Sequence, residues 1–334
     1  MLVEQQIPII FIPGVLSSQL YLPENGRKLW LSPLFLSRSA SMAVSCPLET
    51  RNNDIDQQSL LPLQREGGTM KQNILLIEKL INAFPNRPVY YFSYDFRQAC
   101  DVSAEIFAAF VRKHGFARFD VVCHSMGGLL LASYAAKYGL DKIRKIVSLG
   151  VPFEGTPHAS QVLITGEIWT LIPETITEKL GFSKEVIRAY PSVADLLPSL
   201  EYQAVCPLLK GGANLSPEDT ESYYAGILPQ TFLQSRIQQR IRHEEAYDLL
   251  LRHRISYFGI GCGKSTIKTL ALSESGNPDE IRDFSGDGLI PYFSATMGRR
   301  IEGLGPERFR CFDCRHPELT KHPAPLEWVA EKLA

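Results

Sequence analysis

Short, unbroken apolar runs punctuate this chain. Ile7 to Ile12 comes first and is stopped by Pro13-Gly14. Others follow at Val89 to Phe92, Phe119 to Cys123, Lys145 to Gly150, Ile255 to Ile260 and Phe309 to Phe312. Such runs suit strands buried on both faces of a parallel sheet. Between several of them the apolar positions recur at helical spacing, at Lys71 to Phe84, Val102 to His114 and Leu129 to Tyr138. Near the end, Leu326, Val329, Ala330 and Leu333 keep the same spacing, and Pro325 fits the first turn of that helix. Strands alternating with helices predict βαβ units and a mostly parallel sheet covered by helices on both faces, an α/β architecture.

Two stretches break the alternation. Residues 17–68 carry scattered prolines and a polar run, Arg51 to Ser59, without a sustained period. Residues 152–252 separate two predicted core strands. They hold the apolar clusters Val162-Leu163-Ile164, Ile168-Trp169 and Leu171-Ile172, and a helical pattern from Gln230 to Arg252. Inserts this long usually have structure of their own and often carry function. The expected organisation is a core made of residues 1–16, 69–151 and 253–334. Residues 17–68 form an N-terminal insertion and 152–252 a cap, both over the C-terminal edge of the sheet.

Composition adds limits to that picture. With 334 residues, 45% of them hydrophobic, the chain can bury a large core. Its 35 basic and 36 acidic residues balance, so no global field draws it to nucleic acid or to an anionic membrane. Seven cysteines form no repeating framework and are expected to be mostly reduced thiols. Met1 to Gln6 has no basic segment, and Ile7 to Ile12 is too short for a signal core or a membrane span. A cytoplasmic location is the expectation.

The candidate chemistry begins at Cys123-His124-Ser125-Met126-Gly127-Gly128, between a predicted strand and a predicted helix. Strand, sharp turn with serine at the apex, then helix is the layout of a nucleophile elbow. Gly127 at the second position after the serine fits the tight turn. Cys123, two positions before it, stands where the usual pattern has glycine. The competing reading is an ordinary junction in which Ser125 caps the helix. A serine hydroxyl needs a base, a group to orient that base, and donors for the oxyanion it creates.

In such a fold the acid and then the histidine follow the serine along the chain. Of the histidines after the serine, His158, His243 and His253 lie in or beside the expected cap, which leaves His316 and His322; His316 directly follows the last predicted strand and is preferred. Asp287, between Gly286 and Gly288, is the preferred acid, with Asp279, Asp283 and Asp195 as competitors. The oxyanion donors are expected to be the backbone N–H groups of Met126 and of Val15, the latter on the loop after the first strand. Leu16 on that loop and Trp169 in the cap are the candidate substrate contacts. The apolar clusters around Trp169 predict a hydrophobic lid or a lipid-docking surface, with plain packing beneath the cap as an equal alternative.

Taken together, several segments resemble the lecithin:cholesterol acyltransferase-like lipases. Phe11-Ile12-Pro13-Gly14 with Ser18-Gln19-Leu20 is similar to their oxyanion loop, and Tyr94-Asp95-Phe96-Arg97 to their Tyr-Asp-Trp-Arg segment. His124 to Gly128 resembles their elbow. Gly150-Val151-Pro152-Phe153 with Gly155-Thr156-Pro157 resembles the segment after the next strand. Pro191-Ser192 and Leu196-Leu197-Pro198 look like a cap motif of the group, Gly286-Asp287-Gly288 with Pro291 like its acid turn, and His316 with Leu319 like its histidine segment. The resemblance implies an α/β-hydrolase fold with cap insertions and a triad of Ser125, Asp287 and His316. Phe96 in place of tryptophan and Cys123 depart from the pattern. Asp95 and Arg97 are read as a charge pair bracing the loops.

Two other patterns point elsewhere. Gly259 stands one residue too close to Gly263-Lys264 for a phosphate loop, so nucleotide binding is rejected. Cys311 and Cys314 have no second cysteine pair to complete a zinc site, and core thiols are the default there. The expected activity is hydrolysis of carboxylic esters, or acyl transfer, on a small-molecule or lipid substrate. No metal, no cofactor and no nucleic acid take part, and transient contact with a lipid surface is allowed for. A catalytically silent hydrolase fold that binds lipid or protein is the alternative, and a thiol or metal enzyme built on Cys311 and Cys314 a more distant one.

Overall fold

The computed structural model describes residues 7–26, 28, 47–50, 54–55, 73–166, 184–228, 236, 244–273 and 278–334. Six parallel strands make its central sheet: β1 (Ile9–Ile12), β3 (Val89–Tyr91), β4 (Phe119–His124), β5 (Ile143–Leu149), β8 (Ser256–Gly261) and β11 (Phe309–Phe312). The spatial order is β11-β8-β5-β4-β1-β3, and the two-residue β2 (Asp54–Ile55) adds antiparallel to β3 at the edge. This is the α/β-hydrolase fold.

The apolar runs become these strands because both faces of the sheet are covered. Ile10 and Ile12 pack towards helices Cys100–Lys113 and Met126–Tyr138, while Ile9 and Phe11 pack towards helices Ile74–Ala83 and Pro323–Leu333. Successive side chains point to opposite faces, so a strand covered on both sides has no polar positions to alternate with. Each such Ile or Phe contributes about 1.5–3 kcal/mol by leaving water. Asp120 is the charged residue within β4. It is fully buried, paired with Arg87 and Arg144, and accepts Lys145 N–H at 3.0 Å.

The chain runs from β1 to β3 on one side, then crosses to β4 on the other. Winding therefore reverses between β1 and β4. Ligand sites of open α/β sheets lie beyond the strands' C-terminal ends at such a reversal. The loop after β1 and the turn after β4 meet there.

A second sheet has the order β10-β9-β6-β7, from β6 (Leu209–Lys210), β7 (Ala213–Asn214), β9 (Lys264–Leu272) and β10 (Asp279–Gly286). It joins strands of the 152–252 stretch to strands of the 253–334 stretch. Lys264 opens β9, so a strand rather than a helix follows the Gly-rich segment. Short helices, among them Pro157–Thr165, Lys184–Arg188 and Pro191–Leu196, join β6 and β7 in the described part of residues 152–252, the expected cap. Of the helix expected over Gln230 to Arg252, residues 244–252 are helical and so is Arg236, the rest lying outside the described residues.

Most of the described cysteines are free thiols, as expected, but the core-thiol reading of Cys311 needs correction. Cys262, just after β8, is disulfide-bonded to Cys311 on the neighbouring β11. Parallel pairing sets Cys311 beside Ile260, close to Cys262, a proximity invisible across the 49-residue separation. Cys100, Cys123, Cys206 and Cys314 are free and buried. Among the described residues no helix is long and apolar enough to cross a membrane.

Candidate active site

Ser125 sits between β4 and helix Met126–Tyr138 with φ 54° and ψ −131°. That conformation is strained for a residue with a side chain, and strain of about 1–3 kcal/mol persists only where the surroundings impose it. Here they do. The Ser125 N–H donates to Leu149 O at 2.9 Å, and a Cβ on Gly127 would stand 2.4 Å from Ile12 O. A Cβ on Gly128 would meet Val151 at 2.2 Å. The two glycines let the helix start close against the ends of β1 and β5. The Ser125 side chain makes no capping hydrogen bond, unlike an ordinary junction serine. Cys123 is accommodated with its side chain buried in the core beside the neighbouring strand, its Sγ 3.4 Å from Ser148 Oγ. Burial pushes that thiol up to about 12, so it stays protonated.

The loop after β1 closes over the elbow. A Cβ on Gly14 would come within 2.8 Å of Ser125 Cβ, so only glycine lets the two turns pass. Tyr94 Oη donates to Pro13 O at 2.9 Å, and its N–H donates to Ser18 Oγ at 3.0 Å. Tyr91 Oη donates to Ser17 O at 2.7 Å. These anchors fix Val15 and Leu16, the latter with φ 62°, along one cavity with Ser125. Met126 is the first residue of its helix, where backbone N–H groups have no intrahelical partner. Asp95 and Arg97 form a buried bidentate pair (2.9 and 2.7 Å), and Arg97 O accepts Ser192 N–H from the cap. The pair braces core loop to cap.

His316 and Asp287 meet beside the elbow. His316 Nδ1 lies 2.7 Å from Asp287 Oδ2, and both side chains are buried. Asp287 Oδ1 accepts from Leu289 N–H at 3.0 Å and Ile290 N–H at 2.7 Å, so the carboxylate is held at both ends. His316 N–H donates to Asp287 O at 2.9 Å. The ring lies over Gly150, where a Cβ would stand 3.1 Å from Nδ1, and Gly150 has φ 56°. Gly150 follows Leu149, whose carbonyl holds the Ser125 N–H. Among the described residues Ser125 Oγ makes no hydrogen bond to His316 in this conformation. Such bonds are often long without substrate and tighten on binding.

The competitors are occupied elsewhere. Asp195 Oδ2 accepts Cys100 N–H at 2.6 Å, serving the start of that helix. Asp283 Oδ1 binds Ser285 at its own turn. His322 caps the last helix through Ala324 N–H. Trp169 lies outside the described residues.

Ser125 opens onto an apolar cavity. Val15, Leu16 and Phe96 form the core side; Ile187, Tyr190 and Val193 form the cap side. Leu289 and Ile290, which hold Asp287, also line it. Thr156 Oγ1 donates to Leu289 O at 2.9 Å and ties this wall to the loop after β5. His158, which the sequence did not single out for this site, is in the wall too. Burial pushes its imidazole down to about 4, so it is uncharged at neutral pH. Among the described residues no cluster of three or more His, Cys, Asp or Glu could hold a metal ion.

Known proteins agree on the fold. A sequence model described as the alpha/beta hydrolase fold matches residues 84–168, spanning the elbow. The solved Tle4–Tli4 complex superposes with a TM-score of 0.62 at 13% identity, covering 98% of each chain. The mature lipase BlEst2 of Bacillus licheniformis gives 0.40 at 11% identity, over 99% of this chain and 93% of that one. Esterase RhEst1 of Rhodococcus sp. ECU1013 gives 0.39 at 13%, over 98% and 90%. Identity this low speaks for the fold alone. No curated protein matches the sequence.

Proposed function

We propose that this chain hydrolyses carboxylic esters with an apolar acyl chain, using Ser125 as nucleophile, His316 as base and Asp287 as its orienting acid. The observation that carries the reading is the buried His316–Asp287 pair, 2.7 Å apart, beside a serine held at φ 54° on the wall of an apolar cavity. Ser125 Oγ attacks the ester carbonyl as His316 Nε2 takes its proton. The oxyanion is held by the N–H groups of Val15 and Met126. Collapse expels the alkoxide, which receives the proton from His316, and water resolves the acyl-enzyme by the same steps. An alcohol in place of water makes the outcome acyl transfer.

The resemblance to lecithin:cholesterol acyltransferase-like lipases belongs to this proposal, as do a lipid ester substrate and transient contact with a lipid surface. Cap helices on one side of the cavity support an acyl chain lying between cap and core. The open Ser125–His316 contact favours a second reading, a silent fold that binds lipid. A fluorophosphonate label and p-nitrophenyl esters of graded length decide. Labelling and turnover should both vanish in Ser125→Ala; turnover surviving in that variant would sink the assignment, and a wild type that never labels would favour the silent fold.

A further inference from the structure

We propose that His124, the residue before the nucleophile, is a positioning residue that holds His316 in its working orientation, an inference that rests on the ester-hydrolase reading. Three contacts carry it. The two imidazole rings lie with centroids 4.7 Å apart and planes inclined by 33°. His124 Nε2 is 3.3 Å from His316 O, across 192 residues of sequence. A carbonyl oxygen only accepts, so Nε2 carries the hydrogen. The lone pair then falls on Nδ1, which is buried and has no hydrogen-bond partner among the described residues. Nδ1 faces Gly14, lying 3.4 Å from where a Cβ on that residue would stand.

Each contact constrains the base differently. His316 follows β11 on a short turn, and a ring there needs its main chain fixed before its side chain can be aimed. Asp287 O takes the His316 N–H, and His124 Nε2–H holds the His316 carbonyl. Both main-chain polar groups are thereby bound. The flat face of His124 then limits the tilt of the His316 ring while Asp287 fixes Nδ1.

The charge state follows from the same surroundings. The titratable groups acting on His124 are His316 and Lys321, the latter at the end of the His316 segment. Burial first, then the charge of His316, keeps the His124 imidazole well below its ordinary value. It therefore stays neutral when His316 becomes an imidazolium during catalysis.

The experiment separates ring from donor. His124→Phe keeps a flat ring and removes the donor, and His124→Gln keeps a donor near the reach of Nε2 and removes the ring. Turnover of a soluble p-nitrophenyl ester is measured per fluorophosphonate-titrated site across pH, with Ser125→Ala alongside. His124→Phe is expected to lower kcat about 30-fold with KM within about twofold, part of the 10²–10⁴ that acid–base catalysis supplies. His124→Gln should recover much of the loss. A kcat per titrated site within about twofold of wild type in His124→Phe would overturn the proposal. So would equal losses in both variants, which mark a purely structural histidine. Ester turnover surviving in Ser125→Ala removes the hydrolase reading itself and the proposal with it; a dead Ser125→Ala beside an indifferent His124→Phe removes the proposal alone.

Discussion

Replacing Asp287 by asparagine tests the geometry most sharply, because the surrounding donors dictate how the amide must sit. Asp287 Oδ1 accepts two backbone N–H groups, from Leu289 at 3.0 Å and Ile290 at 2.7 Å. In Asp287→Asn the amide oxygen must stay there, since turning it away would face an NH2 to two donors and leave both buried N–H groups unpaired, at about 1–3 kcal/mol each. The amide nitrogen then replaces Oδ2, 2.7 Å from His316 Nδ1. Two donors cannot face one another, so His316 gives up its Nδ1 hydrogen and carries it on Nε2. That tautomer cannot accept the Ser125 proton. Shape and volume hardly change, so substrate binding should survive while the chemical step fails. We expect kcat to fall about 10³–10⁴-fold, a barrier increase of about 4–5.5 kcal/mol, with KM within about threefold. The assay is p-nitrophenyl ester hydrolysis normalised to folded protein, with fluorophosphonate labelling rates in parallel. Activity within about tenfold of wild type would refute the reasoning: either Asp287 does not orient His316 during turnover, or His316 is not the base.

Other outcomes follow from the packing and the buried charges. Gly14→Ala places a methyl 2.8 Å from Ser125 Cβ, so kcat should drop about 100-fold through a displaced nucleophile, and the melting temperature should fall as the two turns are forced apart; unchanged kcat would count against the close approach. Asp120→Asn strands Arg87 and Arg144 far from the site and should cost about 3–5 kcal/mol, seen as a lower urea midpoint with kcat per folded molecule retained. Burial raises the Glu154 carboxyl from 4.5 to about 7. Its folded value lies above the unfolded one, so its contribution is full below pH 4.5 and is lost as pH rises through about 7, a loss of about 3 kcal/mol. Glu154→Gln should therefore raise the melting temperature at pH 8 relative to wild type much more than at pH 5. His158 has the opposite sign: with its folded value depressed from 6.5 to about 4, its contribution is present above pH 6.5 and lost as pH falls through about 4. Acid unfolding followed by circular dichroism should begin at lower pH in His158→Gln, and an unmoved midpoint would reject the buried neutral imidazole.

What the sequence by itself determined is what depends on neighbours along the chain. The runs ending at Ile12, Phe92, Cys123, Gly150, Ile260 and Phe312 read as strands because both faces of the sheet are covered and no polar alternation interrupts them. The elbow is equally local: Ser125 and Gly127 need only the strand before and the helix after. Chain order pointed to Asp287 and His316, and their side chains stand in contact. The hairpin β9–β10 escaped notice because β10 is an edge strand exposed along almost its whole length and so has no apolar pattern to read.

Tertiary structure alone decided which distant residues surround the serine. Gly14 is an ordinary turn glycine in the sequence, and only the meeting of two loops at the reversal between β1 and β4 makes a side chain there impossible. His124 looked idle because a residue beside the nucleophile cannot turn back to act as its base. The fold instead brings it against His316. His158 reads as a cap residue until helix Pro157–Thr165 lays it in the cavity wall, and Cys262 finds Cys311 only through the register of β8 on β11. Hydrophobic periodicity records burial, which each residue feels for itself. A contact between segments far apart in sequence is a property of the packed sheet and leaves no trace in either segment.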